Sequence, residues 1–525
     1  MRGKSNYSVV ARWFYQPVDA ATLGLFRLSW GGFMLLEALT RFPKVTGVYS
    51  PTYFHFKYPL FTWVQGFPEH WMIYAEIAVL SLAALGIFLG VFFRASSLLF
   101  GSIYFHLFLT DTVYYNNHFY LTSIVTVLLA FTGADKTFSF SSFRSRDGEG
   151  FALPQTVPFW NYILIRGQFF ILYFFGGIAK LNADWIRAEP IKYWFQTSSS
   201  VRPPLTWVIR EEWFAWMAAY GGIAIDLGAP FLLLWRRTRP YAIAVLVGFH
   251  LMNSRIFKIG FFPFLGIVAC IPFLHPATGR WIWSKYQKFI AGVSRVRSPD
   301  LDAAQTNSRR SRVAFWMVAS FLLFQMIFPL RAYIFGQNPA WTEVGHKFSW
   351  RMMLRNKDAY IKFKFSHPEA ETWLNEHPDL RPKLAPEHVN GMSKHPWMIL
   401  QYARELDSVL AENGMTDTKI KVLSVVSLND RPYRVLIDPT ADLTEIDYPL
   451  WGVPKWIVPL DATPLGEKRP MTKEGRMKSI VEALELYAEE HPGNISKDEI
   501  LEGVGVQSRK AAPSVEKPSQ VIIKD

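Results

Sequence analysis

Three short stretches of the sequence set acids, amides and imidazoles beside long apolar runs. They are DTVYYNNHF (111–119), carrying Asp111, Asn117 and His118; GGIAKLNADW (176–185), carrying Lys180; and FHLMNS (249–254), carrying His250. A polar side chain at the edge of a hydrocarbon-spanning segment is costly there, so each is by default a functional candidate. Lys180 is the most telling of them. Burial disfavours the ammonium form, and a lysine sunk in apolar surroundings can fall to a pKa of roughly 5 or 6. A neutral amine is a usable proton acceptor, so Lys180 reads as a base tuned by burial alone, with no neighbouring charge. The plain alternative is a lysine snorkelling to the headgroups. His118 and His250, judged singly, read as satisfied interior histidines. Arg27 reads as an interhelical ion pair with Glu76 or Asp226, Arg166 as structural, and Gly176-Gly177 as a helix-packing point. His106 and His118 have no ligand spacing, so no metal is expected.

These residues need elements to position them. The chain has 525 residues, half of them hydrophobic and 16% aromatic, with 20 Trp and 43 Phe. Apolar runs near membrane-spanning length recur at 20–40, 71–93, 97–110, 119–132, 159–181, 213–235, 240–252, 259–275 and 313–331, which predicts a polytopic helical bundle of about nine spans. No cleavable signal sequence precedes the first run. The alternate loops that begin with the N-terminus, among them Arg236, Arg237 and Arg239, hold about twice the Lys and Arg of the other set, and so face the cytoplasm. The segments bearing Asp111 to His118, Lys180 and His250 then share one depth on the opposite side. The net charge of +13 is a topology signal, and nucleic acid is not an expected partner.

Beyond residue 331 the pattern changes. AYIKFKF (359–365), KIKVLSVVSL (419–428) and YRVLIDP (433–439) alternate as strands do, HPWMILQYARELDSVLAENG (395–414) has helical periodicity, and DYPLWGVPKWIVPL (447–460) reads as irregular or edge structure. The expected organisation is a membrane domain over 1–331, a mixed α/β extracytoplasmic domain over 332–470, and a charged helix with a disordered tail over 471–525. Cys270 is the only cysteine, so no intrachain disulfide can form.

Longer stretches resemble a known family. YYNNHFYL (114–121), PFWNYILIRGQFFILYFFGGIAKLNADW (158–185), GGIAIDLGAPFLLL (221–234) and FHLMNSRIFKIGFFPF (249–264) are similar to the vitamin K-dependent gamma-glutamyl carboxylases, as are WTEVGHKFSWRMM (341–353) and VVSLNDRPYRVLIDP (425–439). The resemblance implies an integral-membrane enzyme that oxygenates vitamin K hydroquinone with O2 to the epoxide and uses the strong base so formed to add CO2 to peptide glutamate. It implies Lys180 as the base toward the hydroquinone, His118 as a catalytic group for the glutamate half, and Asn117, His250 and Asp111 as groups at the quinol. It implies Ser349 and Trp350 at the glutamate. The partners so implied are membrane lipid, an isoprenoid quinol and a glutamate-containing peptide. The single cysteine departs from the animal pattern, in which a disulfide ties the membrane and luminal parts, and points to a bacterial homologue. Two other readings remain: a quinol epoxidase without carboxylation, and a non-catalytic lipid-binding or transport protein that keeps the bundle.

Overall fold

The computed structural model describes residues 12–140, 142, 155–197, 205–257, 259–291, 308–460, 468–469 and 472–493. The first part is a helical bundle opened by a short antiparallel pair, β1 (Pro17–Asp19) with β2 (Thr156–Pro158). Its principal helices are α1 (Ala21–Leu39), α2 (His70–Leu89), α3 (Phe93–Leu109), α4 (Asn117–Ala130), α5 (Trp160–Lys180), the one-turn α6 (Ala183–Ile186), α7 (Glu212–Leu234), α8 (Arg239–Ile256), α9 (Phe262–Val268), α10 (Pro276–Ala291) and α11 (Ser308–Ile327).

Length and composition let four of these segments cross a membrane: His70–Leu89, Trp160–Lys180, Glu212–Leu234 and Arg312–Ile334. A fifth is added if Phe262–Phe273 and Pro276–Phe289, bent by 104°, form one broken span. Among the described residues the expected nine are not reached. Helices α3 and α4 have 17 and 14 residues, short of the roughly 20 that about 30 Å of hydrocarbon demands. Helix α1 carries Arg27 and Glu37, and α8 ends in Asn253, Ser254 and Arg255. An apolar run in sequence marks burial, and here protein covers much of it: α1 buries Phe26, Trp30 and Met34 inside the bundle.

One end of the bundle is gathered by a single guanidinium. Arg27, fully buried, was expected to meet a carboxylate, but it donates to five backbone carbonyls instead: Ile87 and Phe88 at 2.6 Å, Ala134 and Thr137 at 3.3 Å, and Phe138. Its planar fork offers five donors, which is why one side chain can satisfy the frayed C-terminal turn of α2 and the loop after α4 together. Glu76 pairs with His106 (2.6 Å), and Arg166 donates to Pro272 O at 2.9 and 2.6 Å.

At the opposite end stands the second part. Strands β3 (Lys357–Phe365), β4 (Ile420–Leu428) and β5 (Arg434–Ile437) form an antiparallel sheet in that order, and helices α12 (Pro386–Met392), α13 (Pro396–Glu412) and α14 (Lys473–Glu490) complete it. Alternation puts Val422, Val426 and Leu428 of β4 against Ile399, Leu406 and Leu410 of α13, while Leu423 and Val425 face Ile480 and Leu484 of α14. The central strand is therefore buried on both faces. Residues 494–525, expected to form a disordered tail, lie outside the described residues.

Because a hydrogen bond from a charged donor contributes roughly 1.5–3 kcal/mol, Arg27→Met should lower the midpoint of heat-induced aggregation in detergent sharply. Arg27→Lys should recover little, since one ammonium cannot span the same carbonyls; full recovery by lysine would show that charge alone matters.

Candidate functional site at the outer ends of the helices

The bundle holds a cavity of about 120 Å³ at the end that carries the sheet domain. Its walls are apolar, with Leu172 and Tyr173 of α5, Phe249 of α8, Phe262 and Leu265 of α9, and Met352 from the second part; the polar groups among them include the Lys180–Asp226 pair, His250 and Asn253. Lys180 closes α5 with its ammonium turned inward, away from the headgroups. Its Nζ lies 2.5 Å from Asp226 Oδ2 and donates to Gly176 O at 3.3 Å, and the two side chains are 8% and 6% exposed. The expectation of a lysine without a neighbouring charge is thus corrected. Asp226 was read as a partner for Arg27; the structure gives it to Lys180.

Helix packing makes this contact possible. A Cβ on Gly177 would sit 2.9 Å from Leu227 N and 2.7 Å from its Cγ, so α5 and α7 touch there through glycine. Gly176 leaves room in the same way for Asp226 Oδ2 and for Met352. The sequence showed the acid but not its partner: Asp226 stands alone in the apolar run GGIAIDLGAP, where an isolated acid calls for a cation.

The residues after Lys180 each have a task. Asn182 caps α6, accepting from the N–H groups of Asp184 and Trp185 at 3.1 Å. Trp185 donates to Ala219 O at 2.9 Å and sets its ring 5.1 Å from Lys180 Nζ. Asp184 reaches the other way, into the second part. Its carboxylate takes both terminal nitrogens of Arg431, one of them at 2.7 Å, and the amide of Asn429 at 2.7 Å. The motifs KLNADW and LNDRPYR, far apart in sequence, are two halves of one buried joint.

His250 Nε2 meets Tyr173 OH at 2.8 Å, and its buried Nδ1 has no partner among the described residues. Gly266 makes space for the ring: a Cβ there would fall 2.3 Å from Nε2. The remaining candidates surround the cavity without lining it. Asn117 Nδ2 donates to Arg351 O, and its Oδ1 accepts from Tyr115 OH, both at 3.0 Å. His118 stacks on Phe262, with centroids 5.6 Å apart, and Phe262 in turn meets the His250 ring at 6.3 Å. One phenyl ring therefore separates the two imidazoles.

Asp111 is committed elsewhere. Oδ2 receives His55 Nδ1 (2.8 Å) and His388 Nε2 (2.7 Å), while Oδ1 accepts from Val113 N at 2.9 Å. Burial alone would push this carboxyl up, but the bonds from His388 and His55 outweigh it and hold it below its ordinary value. Three possible metal ligands meet here, yet His388 Nδ1 accepts the Ala385 N–H at 3.1 Å, so its Nε2 carries the proton and donates. Hydrogen bonding thus accounts for the cluster, which joins the loop before α2, the turn before α4 and helix α12. His55 and His388 had no signal in the sequence, because their partner comes from another segment.

Two family models match the chain. Residues 15–278 match the HTTM domain, and residues 310–463 match the lumenal domain of vitamin K-dependent gamma-carboxylase. The chain belongs to the vitamin K-dependent gamma-carboxylase family. No solved structure matches it. As in the family, the lumenal part is extracytoplasmic and the protein is integral to the membrane.

In this carboxylase-family chain the segment 341–357 leads from the last span to β3 and lies against the bundle. Trp350, with no exposed surface, stacks 4.8 Å from Tyr120, and Phe348 packs among Tyr58, Phe108, Tyr115 and Tyr120. Ser349 Oγ donates to Gly345 O at 2.7 Å. Neither Ser349 nor Trp350 presents its side chain to solvent. Phe348, Trp350 and Met353 have φ of 59°, 55° and 55°, a left-handed backbone that costs about 1–3 kcal/mol per residue and persists where packing over-determines it. Around this segment cations outnumber acids. Glu343 takes Lys357 at 2.6 Å and Arg355 at 2.8 Å, Arg351 Nε is buried without a partner, and Lys347 donates to Thr112 O at 3.3 Å and to its hydroxyl. Burial, with Arg355 nearby and Glu343 opposing, brings Lys347 from the ordinary 10.5 down to about 7.

Breaking the Asp184–Arg431 joint by Arg431→Leu alone should cost roughly 3–5 kcal/mol, because it strands a buried carboxylate. Arg431→Leu with Asp184→Leu should cost less than either single change in thermal melts. Lys347 gives a pH test. The unfolded chain holds this proton up to about 10.5 and the folded chain only to about 7, so the penalty for burying the charge is complete below 7 and fades as pH rises to 10.5. The melting temperature of the wild type relative to Lys347→Met should accordingly rise between pH 7 and pH 10; a constant difference would contradict the burial of this amine.

Proposed function

We propose that this protein is a vitamin K-dependent carboxylase in which the Lys180–Asp226 pair handles the first proton. The observation that carries this reading is a buried ion pair at the end of an apolar cavity, turned away from water. The walls suit a lipid-soluble quinol, and His250 Nδ1, buried without a partner, suits a hydroxyl or carbonyl oxygen of its ring. Oxygenation of reduced vitamin K to its epoxide supplies a base strong enough to take the γ-proton of glutamate, whose carbanion then adds CO2.

The chain's own residues do the positioning. The Lys180–Asp226 unit is neutral overall: as Lys180 Nζ takes the proton of the quinol hydroxyl it passes one of its own to Asp226 Oδ2, 2.5 Å away, so that the carboxylate is neutralised and the ammonium charge stays beside the oxygen that lost its proton. Trp185 and the α5–α7 contact hold the ammonium in place, and the apolar walls exclude water from the reacting centre. His118 lies one ring away from His250, within reach of the glutamate half if Phe262 moves. Asn117, holding Arg351 O, fixes the lumenal segment over the cavity. Glutamate's carboxylate would be met by the cations of that segment, Lys347, Arg351 and Arg355, rather than by the packed Ser349 and Trp350.

The purified protein in nanodiscs, given reduced vitamin K, labelled bicarbonate and a glutamate peptide, should form epoxide and fix label. Lys180→Ala should abolish both per folded molecule, with partial rescue by a small amine, and should lower the folded yield because it leaves the buried Asp226 carboxylate unpaired. Asp226→Asn should also suppress both. Epoxide without fixed label in the wild type would establish a quinol epoxidase instead, and full turnover by Lys180→Ala would remove the lysine from the mechanism.

A further inference from the structure

The segment DYPLWGVPKW (447–456) forms a loop with a fixed base and an uncovered apolar tip. At the base, Trp456 Nε1 donates to Asp447 O at 3.0 Å, and Tyr448 packs against Trp397 with ring centroids 4.9 Å apart. At the tip, Leu450 is 60% and Trp451 71% exposed. Gly452, at φ 91°, makes the turn. Pro449 and Pro454 remove two N–H donors from a loop of ten residues.

The position of this tip says what covers it. Trp451 lies 6.2 Å, centroid to centroid, from Phe335, the residue that follows the last membrane-crossing segment, Arg312–Ile334. That segment is the least covered by protein of the crossing helices, and its exposed flank runs through Leu323, Phe324, Ile327 and Leu330 to Ile334, itself 74% exposed. The tip extends the lipid-facing surface at its outer end. Tryptophan is enriched at that depth, where an indole meets both hydrocarbon and headgroups, and a backbone short of N–H donors loses less on leaving water.

We propose that Leu450 and Trp451 insert into the outer leaflet, so that the lumenal domain rests on the bilayer at a second point besides the last span. The inference depends on the membrane setting and not on the chemistry proposed above. It is tested by spin labelling in phosphatidylcholine–phosphatidylglycerol nanodiscs. In a Cys270→Ser background, Trp451→Cys is labelled and its collision rates with oxygen and with a water-soluble nickel chelate are measured. Leu323→Cys serves as the lipid reference, and Asp379→Cys, whose native side chain is 93% exposed, as the aqueous one. The label at 451 should match the lipid reference, with oxygen favoured over nickel. Accessibility matching the aqueous reference would overturn the proposal. So would protection from both reagents with dipolar broadening between labels, which would mean that a second copy of the chain covers the tip. Leu450→Cys repeats the measurement in case the tryptophan variant misfolds.

Discussion

Placing an ammonium and a carboxylate together in an apolar interior is the constraint on which the rest of the structure depends. Removing either charge from water costs several kcal/mol, and their attraction offsets that only if the geometry is close and other atoms complete the shell. Lys180 and Asp226 come from helices whose relevant residues are 46 positions apart, so the pair requires α5 and α7 to approach closely and the end of α5 to be held still. Gly177 provides the approach. Asn182, Trp185 and Asp184, the next polar or aromatic residues along the chain, provide the hold.

Support for that arrangement comes from both ends of the bundle by different means. At one end Arg27 collects backbone carbonyls, a solution suited to a place where helices terminate in low dielectric. At the other, the lumenal part is fastened by the Asp184–Arg431 pair, by Asp111 between two histidines, and by Asn117 on Arg351 O. Arg351, which Asn117 holds, belongs to the segment that supplies Met352 to the cavity wall. The left-handed backbone of Phe348 and Trp350 belongs to the same pattern: strained conformations held by aromatic packing against the bundle.

Much of this was legible in the sequence. The stretches 359–365 and 419–428 read as strands, the second largely apolar because each face of that central strand meets a different helix, and α13 shows its amphipathic period because one of its faces packs on the sheet. The apolar runs were visible, but their number as membrane spans was not, since a run buried by protein reads the same as one buried by lipid. Lys180 and His250 stood out as polar residues beside apolar ones. The partner of Lys180 did not, because pairing depends on which helices become neighbours. For that reason Arg27 was matched with acids when its ligands were main-chain oxygens, and Asp111 was set at the quinol when its partners are imidazoles from distant segments. Ser349 and Trp350 lie in the segment indicated by resemblance, but spacing says nothing about which way a strained backbone turns its side chains.

With Cys270 its single cysteine, the chain makes the joint between its membrane and lumenal parts without an intrachain disulfide. Animal members of this family are expected to secure it with a disulfide, whereas here Asp184 and Arg431 meet through two hydrogen-bonded oxygens and nitrogens. Such a fastening forms without an oxidant or an isomerase and is indifferent to glutathione. The fold can therefore be completed, and kept, on either side of the redox divide between cell compartments.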